Sequence, residues 1–572
     1  MSAESMTASL GAYQEPVARA LVEAEQTGIM RRIWQKDASV WKDDEAHQAI
    51  IRNSLGWLTV SGKMISAADE IVAFADQIRL SGDFKHVMLC GMGGSSLCPE
   101  VMRQTFGTQT NYPELLVLDS TDPDVLTYFS SQIDIERCLF VIASKSGTTT
   151  EPLVFYKYWY DQVRQRKSNP GDSFVAITDP GTRMVEMATA DKFRHIFLNP
   201  ADIGGRYSAL SYFGMVPAAL MGLDIRKLLA QAETMIKACS AERGVAESPG
   251  ALLGTIMGEC ARAGRNKLTI VTEDRISALG LWIEQLVAES TGKEGQGILP
   301  VNGELLGAPS VYGDDRLFVS ISVEVVAETR NKLEALASGG HPIVYRTLND
   351  LYDLGGEFFL WEIATAFAGW RLRINPFDQP NVQESKDATK ELLDYFKTRG
   401  QLQEQEPVVS DGTLAVYAAD RIRESVSASS VRDALRAHLA SAKPGDYIAM
   451  LDYTEETPEI ESALQSIRTQ LRDATKCATT TGYGPRFLHS TGQLHKGGPD
   501  TGVFIQITAP DQVDVPIPGE PYTFSVLKQA QALGDFRSLS AHGRRAIRVD
   551  LGQDVLSGLQ RLREQLSKAI SA

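Results

Sequence analysis

Cysteine is scarce in this chain of 572 residues: there are six, Cys90, Cys98, Cys138, Cys239, Cys260 and Cys477, and no two stand in a CxxC spacing. That scatter argues against a disulfide frame or a zinc site and fits reduced thiols in a cytosolic protein. Histidine is also sparse, with eight residues, and no His, Asp or Glu grouping has metal-ligand spacing, so neither a metal nor an organic cofactor is expected. Positive charge is also short. The net charge of −15 argues against a general nucleic-acid or anionic-membrane binder, so an anionic ligand would need a local basic pocket. Long apolar runs are missing: the longest, Tyr212–Leu223, is about twelve residues and contains Pro217, too short to span a bilayer. The opening MSAESMTASL lacks the basic-then-apolar pattern of a secretion signal. What remains is an ordinary apolar content of 43% and charged content of 23%, expected of a soluble cytoplasmic α/β protein of several domains.

Helical spacing in Val17, Leu21 and Ala24, and again in Ile50, Ile51, Leu55 and Leu58, predicts a helical N-terminal arm over residues 1–65, with a packing role. In residues 66–225 strands such as VMLCG, LLVLDS, LFVIAS and FVAITD alternate with helical lengths. Strands that are apolar throughout predict a parallel, doubly wound sheet covered on both faces. A second alternating block over residues 226–400 contains LTIVTE, LFVSIS and PIVYRTL. A third α/β block, 401–572, follows the polar stretch 400–407 and carries YIAMLDY, VFIQIT and AIRVDLG. The third block echoes the second in the order Gly-Glu loop, aromatic-led helix and strand, a weak internal repeat that convergent α/β patterning could also produce.

Two strand-to-loop stretches carry most of the chemistry. Val87–Pro99 reads VMLCGMGGSSLCP and Leu139–Pro152 reads LFVIASKSGTTTEP. Each is an apolar strand that breaks into Gly, Ser and Thr and then enters a helix. Small residues let backbone N–H groups approach an anion, hydroxyls add donors, and the helix turns its positive end to the same spot. Gly94, Ser95, Ser144, Lys145, Ser146, Thr148 and Thr149 are the expected phosphate donors. A dinucleotide fingerprint is the rival reading, since Gly91, Gly93 and Gly94 follow a strand and Asp119 ends the next. Ser96 in the third glycine slot weighs against it, and a dinucleotide site does not predict the second loop.

Further segments complete a pattern: DIGGRYSAL (202–210), ESTGK (289–293) and NPFDQPNVQESK (375–386). In this order with the two loops, they resemble the sugar isomerase domain family and, within it, the glucose-6-phosphate isomerases. The likeness runs from about Phe84 to Lys386 and is greatest to the isomerase half of bacterial transaldolase–isomerase fusions. It implies tandem doubly wound sugar isomerase domains. The implied activity is interconversion of glucose 6-phosphate and fructose 6-phosphate through a cis-enediol, with a carboxylate base and no cofactor. Glu289, otherwise an ordinary helix-end residue, matches the family's base. Arg206, otherwise a surface arginine, matches the group that stabilises the enediolate, and Lys386 matches the lysine near the ring oxygen. Asn381 and Gln383 depart from the family's glycine and glutamate around it. The partner is a small sugar phosphate. The resemblance implies a homodimer, unless the extra domain fills the second subunit's place. Alternatives are activity on mannose 6-phosphate or another sugar phosphate, and a non-catalytic sugar-phosphate sensor, which would not need a base.

The family opens the cyclic sugar with a histidine about twenty residues after the base. Here the corresponding stretch, EGQGILPVNGELLGAPSVYGDD, has none; the motif LHSTGQ appears at 488–493, with His489 200 residues beyond Glu289. The third block is therefore expected to supply His489, in the same chain or a neighbouring one. An imidazole suits ring opening because its ordinary pKa, about 6.5, lets it both give and take a proton. His495 and His341 are the other candidates.

Overall fold

The computed structural model describes residues 6–324, 326–403 and 405–571. Its first strand, β1 (Met6–Ser9), corrects the expectation of a wholly helical N-terminal arm. This strand pairs antiparallel with the edge of the second sheet, burying Met6. Four residues are too few to show a strand period beside helices, and the long apolar helix Trp57–Ser81 runs across the expected boundary at residue 65.

The first sheet contains β2 (His86–Cys90), β3 (Glu114–Leu118), β4 (Cys138–Ala143), β5 (Phe174–Thr178) and β6 (His195–Leu198), all parallel, in the order β3-β2-β4-β5-β6. Counted along the chain this is a 2-1-3-4-5 doubly wound sheet. Its switch point lies between β2 and β4, where two connections leave in opposite directions and open a crevice at the carboxyl edge. Both Ser/Gly-rich loops leave the sheet at that crevice. β4 and β5 are buried throughout, as expected for strands covered on both faces.

The second sheet contains β7 (Lys267–Thr272), β8 (Leu299–Val301), β9 (Arg316–Ser322) and β10 (Ile343–Thr347), in the order β1-β10-β9-β7-β8. The third contains β11 (Val409–Ser410), β12 (Ala415–Ala418), β13 (Tyr447–Asp452), β14 (Ala478–Tyr483), β15 (Gly502–Thr508) and β16 (Arg545–Asp550), in the order β11-β12-β16-β15-β13-β14. In both, four parallel strands run 2-1-3-4 and an upstream strand closes the outer edge antiparallel, β1 on β10 and β12 on β16. The faint echo between the second and third blocks is thus a shared topology, in which β14 corresponds to β8.

Three cores hold the domains together. The largest joins one face of the first sheet to the second domain around the buried helix Leu354–Leu372. The opposite face of the first sheet is covered by Leu392 and Leu393 and by Ile517, Tyr522, Phe524 and Leu527 of the third domain. A further cluster joins Leu299 and Val301 of β8 to Tyr447, Ala449 and Leu451 of β13. The third domain is therefore packed onto both of the others, and it reaches the switch-point crevice.

Candidate active site

Gly93, Gly94 and Ser95 make a single 3-10 turn after β2. A Cβ on Gly94 would lie 1.9 Å from the Gly205 carbonyl oxygen and 2.9 Å from the Arg206 nitrogen. Only a bare backbone lets these two segments touch, so Gly94 sets the position of Arg206. Gly93 takes a positive φ of 54°, the left-handed region that glycine enters at least cost. Its Cα faces the side-chain amide of Gln285 and the His489 backbone: an added Cβ would lie 2.8 and 3.1 Å from them. On the neighbouring strand, Ser144 is buried and donates to Thr149 Oγ1 at 3.3 Å, and Ser146 and Thr148 share a hydroxyl contact of 3.0 Å. Lys145, grouped with these donors from sequence, is turned to Asp179 at 2.8 Å and the Ala201 carbonyl at 3.3 Å.

Glu289 ends the helix Leu279–Thr291 and is 8% exposed. Its Oε1 lies 3.1 Å from Arg206 Nη1, and its Oε2 accepts from Gln285 Nε2 at 3.2 Å. The same Gln285 nitrogen donates to the His489 carbonyl at 2.8 Å. One amide thus ties the carboxylate to the histidine segment. Arg206 is 2% exposed. It donates to Ser290 Oγ, Gln379 Oε1 and the carbonyls of Pro376 and Asp378, at 2.7 to 3.0 Å. With these acceptors and Glu289 its fork is spent inside the protein. It can therefore act on a developing anion through its charge and by orienting Glu289.

His489 ends the 3-10 turn Arg486–His489 that follows β14. Its Nε2 bonds Glu151 Oε1 at 3.0 Å, and Gln531 Nε2 donates to the same oxygen at 2.7 Å. Glu151 is 5% exposed and sits in the first turn of the helix Thr150–Arg164, where the helix dipole favours a carboxylate. Burial alone would raise its pKa; the His489 charge and hydrogen bond, with Lys386 adding to them, hold it below the ordinary carboxylate value. With Nε2 bonded to the carboxylate, Nδ1 is the nitrogen left to serve a ligand. A cavity of 330 Å3 opens here between Thr148, Glu151, Lys386 and His489.

Asn381 and Gln493 exchange two hydrogen bonds, backbone to amide and amide to amide, each 2.8 Å. The asparagine that departs from the family pattern is therefore a clamp between the loop before Lys386 and the LHSTGQ segment. Arg486 donates to both Asp119 oxygens at 3.0 and 2.9 Å, anchoring the same segment to the first domain.

The other two histidines stand apart. His495 is buried among Tyr447, Phe487 and Phe504 with no hydrogen bond at either nitrogen among the described residues, and burial pushes its pKa well down. His341 packs against Tyr312 and Phe318 with its Nδ1 3.3 Å from Arg265, and its pKa is pushed down to about 4 by burial and that arginine. Sequence reasoning passed over Glu151, Gln285 and Gln531. A signal for Glu151 existed: a carboxylate beside an anion clamp needs a cation of its own. The two glutamines carry no such mark. Among the described residues one trio, Asp122, Asp124 and Asp511, has carboxylates grouped closely enough for a metal. Lys528 bonds Asp122 at 2.7 Å and also bonds Asp511, so an ammonium group already neutralises that cluster.

A switch-point crevice, a buried carboxylate beside an arginine, and a histidine–carboxylate pair meet in one chain, the arrangement that the resemblance to sugar-phosphate isomerases implies. Residues 58–305 match the family model described as phosphoglucose isomerase. Relatives include the glucose-6-phosphate isomerase of Prochlorococcus marinus, 28% identical over 58% of this chain and 73% of its own length. That of Rubrobacter xylanophilus is 29% identical over 55% and 84%. Among solved structures, a hypothetical protein from Thermus thermophilus aligns with a TM-score of 0.58 at 21% identity, over 68% of this chain and 99% of its own. A glucose-6-phosphate isomerase from Chlamydia trachomatis aligns at 0.50 and 19%, over 65% and 80%. Both are likenesses of fold.

Proposed function

We infer that this protein interconverts glucose 6-phosphate and fructose 6-phosphate. The observation that carries the reading is the convergence of Glu289, Arg206 and the His489–Glu151 pair on the two Ser/Gly loops, with Gln285 bonded to both the base and the histidine segment. The phosphate is received by the backbone and hydroxyls of Gly94, Ser95, Ser144, Ser146, Thr148 and Thr149, with Lys145 adding positive charge at the rim. His489 removes the proton of the C1 hydroxyl and returns it to the ring oxygen as the C1–O5 bond breaks. Glu151 holds the imidazole through Nε2 and stabilises its charged form, and Lys386 faces the ring-oxygen side.

Glu289 then takes the C2 proton. The electron pair left behind forms the C1=C2 bond of the enediolate, and O1 takes the negative charge. Arg206 opposes that charge from 3.1 Å behind the base, the kind of preorganised electrostatic help that lowers a barrier without rearrangement. Returning the proton to C1, as the O2 hydroxyl proton passes to O1, completes the ketose. Every group in this scheme comes from one chain, so the third domain does the work of a second copy. The scattered, unpaired cysteines support a cytoplasmic setting for the reaction.

The test is conversion of glucose 6-phosphate by the purified protein in deuterated water. Deuterium incorporation at C1 and C2, abolished by Glu289→Gln with sugar-phosphate binding retained, is the expected result. Binding without exchange in the unaltered protein would leave a sensor and discard the isomerase.

A further inference from the structure

A second cavity, of 460 Å3, lies between the second and third domains and shares no lining residue with the one beside Lys386. It is lined on one side by Glu284, on the helix that ends in Glu289, and on the other by Arg468, on the helix Pro458–Thr475. These two helices follow β7 and β13, the corresponding first strands of their sheets, so the cavity sits where the two like domains face each other.

Its polar groups are unspent. Glu284 is 8% exposed, yet among the described residues its carboxyl has neither a hydrogen bond nor an ion pair. Burial raises its pKa to about 7 against the pull of Arg468 and Arg486. Arg468 is 4% exposed; its Nε and Nη2 both donate to the Thr479 carbonyl, at 2.9 and 2.7 Å, and Nε also to Thr479 Oγ1 at 3.4 Å, while among the described residues Nη1 makes no hydrogen bond. Thr481 Oγ1, on the same wall, is buried without a partner. The Glu284 carboxyl and the Arg468 guanidinium are open at the cavity wall to a ligand with matching groups, and the buried, unpaired Thr481 hydroxyl carries a cost that such a ligand would recover.

The charge balance selects the ligand. The remaining ionisable groups are already engaged: Arg486 with Asp119 and Glu456, and Glu461 with the Tyr483 hydroxyl at 3.0 Å. Three carboxyls and two guanidiniums line the space, so a phosphate dianion would meet more repulsion than attraction. Among the described residues one free acceptor, on Glu284, and one free donor, on Arg468, remain at the cavity wall, near enough for each charge to act on the other.

We propose that this cavity is a second ligand site, taking a small zwitterion of the α-amino acid class with its ammonium group on Glu284 and its carboxylate on Arg468. Arg486, Phe487 and Ser490 line the same space, so an occupant touches the segment that carries His489.

The experiment is calorimetric titration of the full chain with glycine, L-serine, L-glutamate and L-lysine, with succinate and 1,4-diaminobutane as single-sign controls. At least one amino acid should bind saturably and more tightly than either control. Binding should weaken about tenfold or more in Glu284→Gln, which keeps the shape and removes the charge, and fall in the same direction in the isosteric Thr481→Val. No saturable heat with any of the four, a control that binds as tightly, or unchanged affinity in both variants would overturn the assignment. The readout is binding, so it stands apart from isomerase activity.

Discussion

Replacing Glu151 with glutamine isolates the electrostatic part of the histidine–carboxylate pair. The amide oxygen can still accept from His489 Nε2 and from Gln531, which in the native protein share Glu151 Oε1 at 3.0 and 2.7 Å. Shape and tautomer therefore survive while the charge does not. A hydrogen bond to a charged group is worth about 1.5–3 kcal/mol and a neutral one about 0.5–1.5. The difference, about 1–2 kcal/mol, corresponds to a factor of about 5–30. That factor belongs to ring opening, where His489 gains a proton. The assay compares kcat on cyclic glucose 6-phosphate with kcat on an acyclic analogue that lacks the ring-forming hydroxyls. Glu151→Gln should slow the first and leave the second within about twofold. Equal loss on both substrates, or no loss on either, would refute the reasoning.

The same variant carries a pH signature. The folded-state pKa of Glu151 is depressed below 4.5, because the pull of His489 outweighs burial. A depressed carboxyl contributes stability that is present above its unfolded pKa and lost as pH falls through the folded one. Denaturation midpoints of the native protein and Glu151→Gln should therefore differ at pH 7, begin to converge as pH falls past about 4.5, and meet only at lower pH. Midpoints are the right measure, because a chain of three domains need not unfold in one step.

Gly94→Ala should place a Cβ inside the Gly205–Arg206 backbone, where the 1.9 Å approach leaves no room; overpacking of this kind costs about 1–3 kcal/mol. Circular dichroism would show a folded protein melting earlier, with kcat reduced because Arg206 is displaced. Arg206→Gln removes the charge that opposes the enediolate together with the fork that meets Ser290, Gln379, Pro376 and Asp378. A fall in kcat of about 10²–10³ with little change in KM is expected, and a KM effect alone would contradict the electrostatic role. Specific activity should hold steady over about a thousandfold dilution if the groups proposed for the site, all found in one chain, suffice; a loss on dilution would mean that a second copy completes it. A chain ended after Gly400 exposes the face that Ile517, Tyr522, Phe524 and Leu527 cover. At about 1.5–3 kcal/mol for each large buried side chain, it should be aggregated and inactive by size-exclusion chromatography and assay, even when mixed with free sugar phosphate.

The doubly wound architecture was legible because its strands are buried on both faces and so read as unbroken apolar runs such as CLFVIA. Glycine and serine clusters marked the switch point for the same reason they form it: little else fits against the backbone there. β1 was not legible, because four residues of mixed polarity find their meaning only in the edge of β10. Nor was the turning of Lys145 toward Asp179, which lies on the loop after β5 and is brought near only by folding. Gln285 and Gln531 were invisible, since an uncharged amide carries no mark of function until the groups it joins, 204 and 380 residues away, are seen beside it.

His489 shows why a third domain with the second domain's topology is useful. The segment after β8 has no histidine; the segment after β14, its counterpart, carries LHSTGQ. Supplying the group from a fused domain replaces a bimolecular encounter with a fixed local concentration, and the advantage lasts only while the geometry is held. Here it is held at three points: Arg486 on Asp119, Gln493 on Asn381, and the His489 carbonyl on Gln285. Each contact joins the segment to another domain, so the third domain is positioned by the site it completes. Cutting any one of them, as in Gln493→Leu, should loosen His489 and lower turnover of the cyclic sugar while the Glu289–Arg206 pair stays intact.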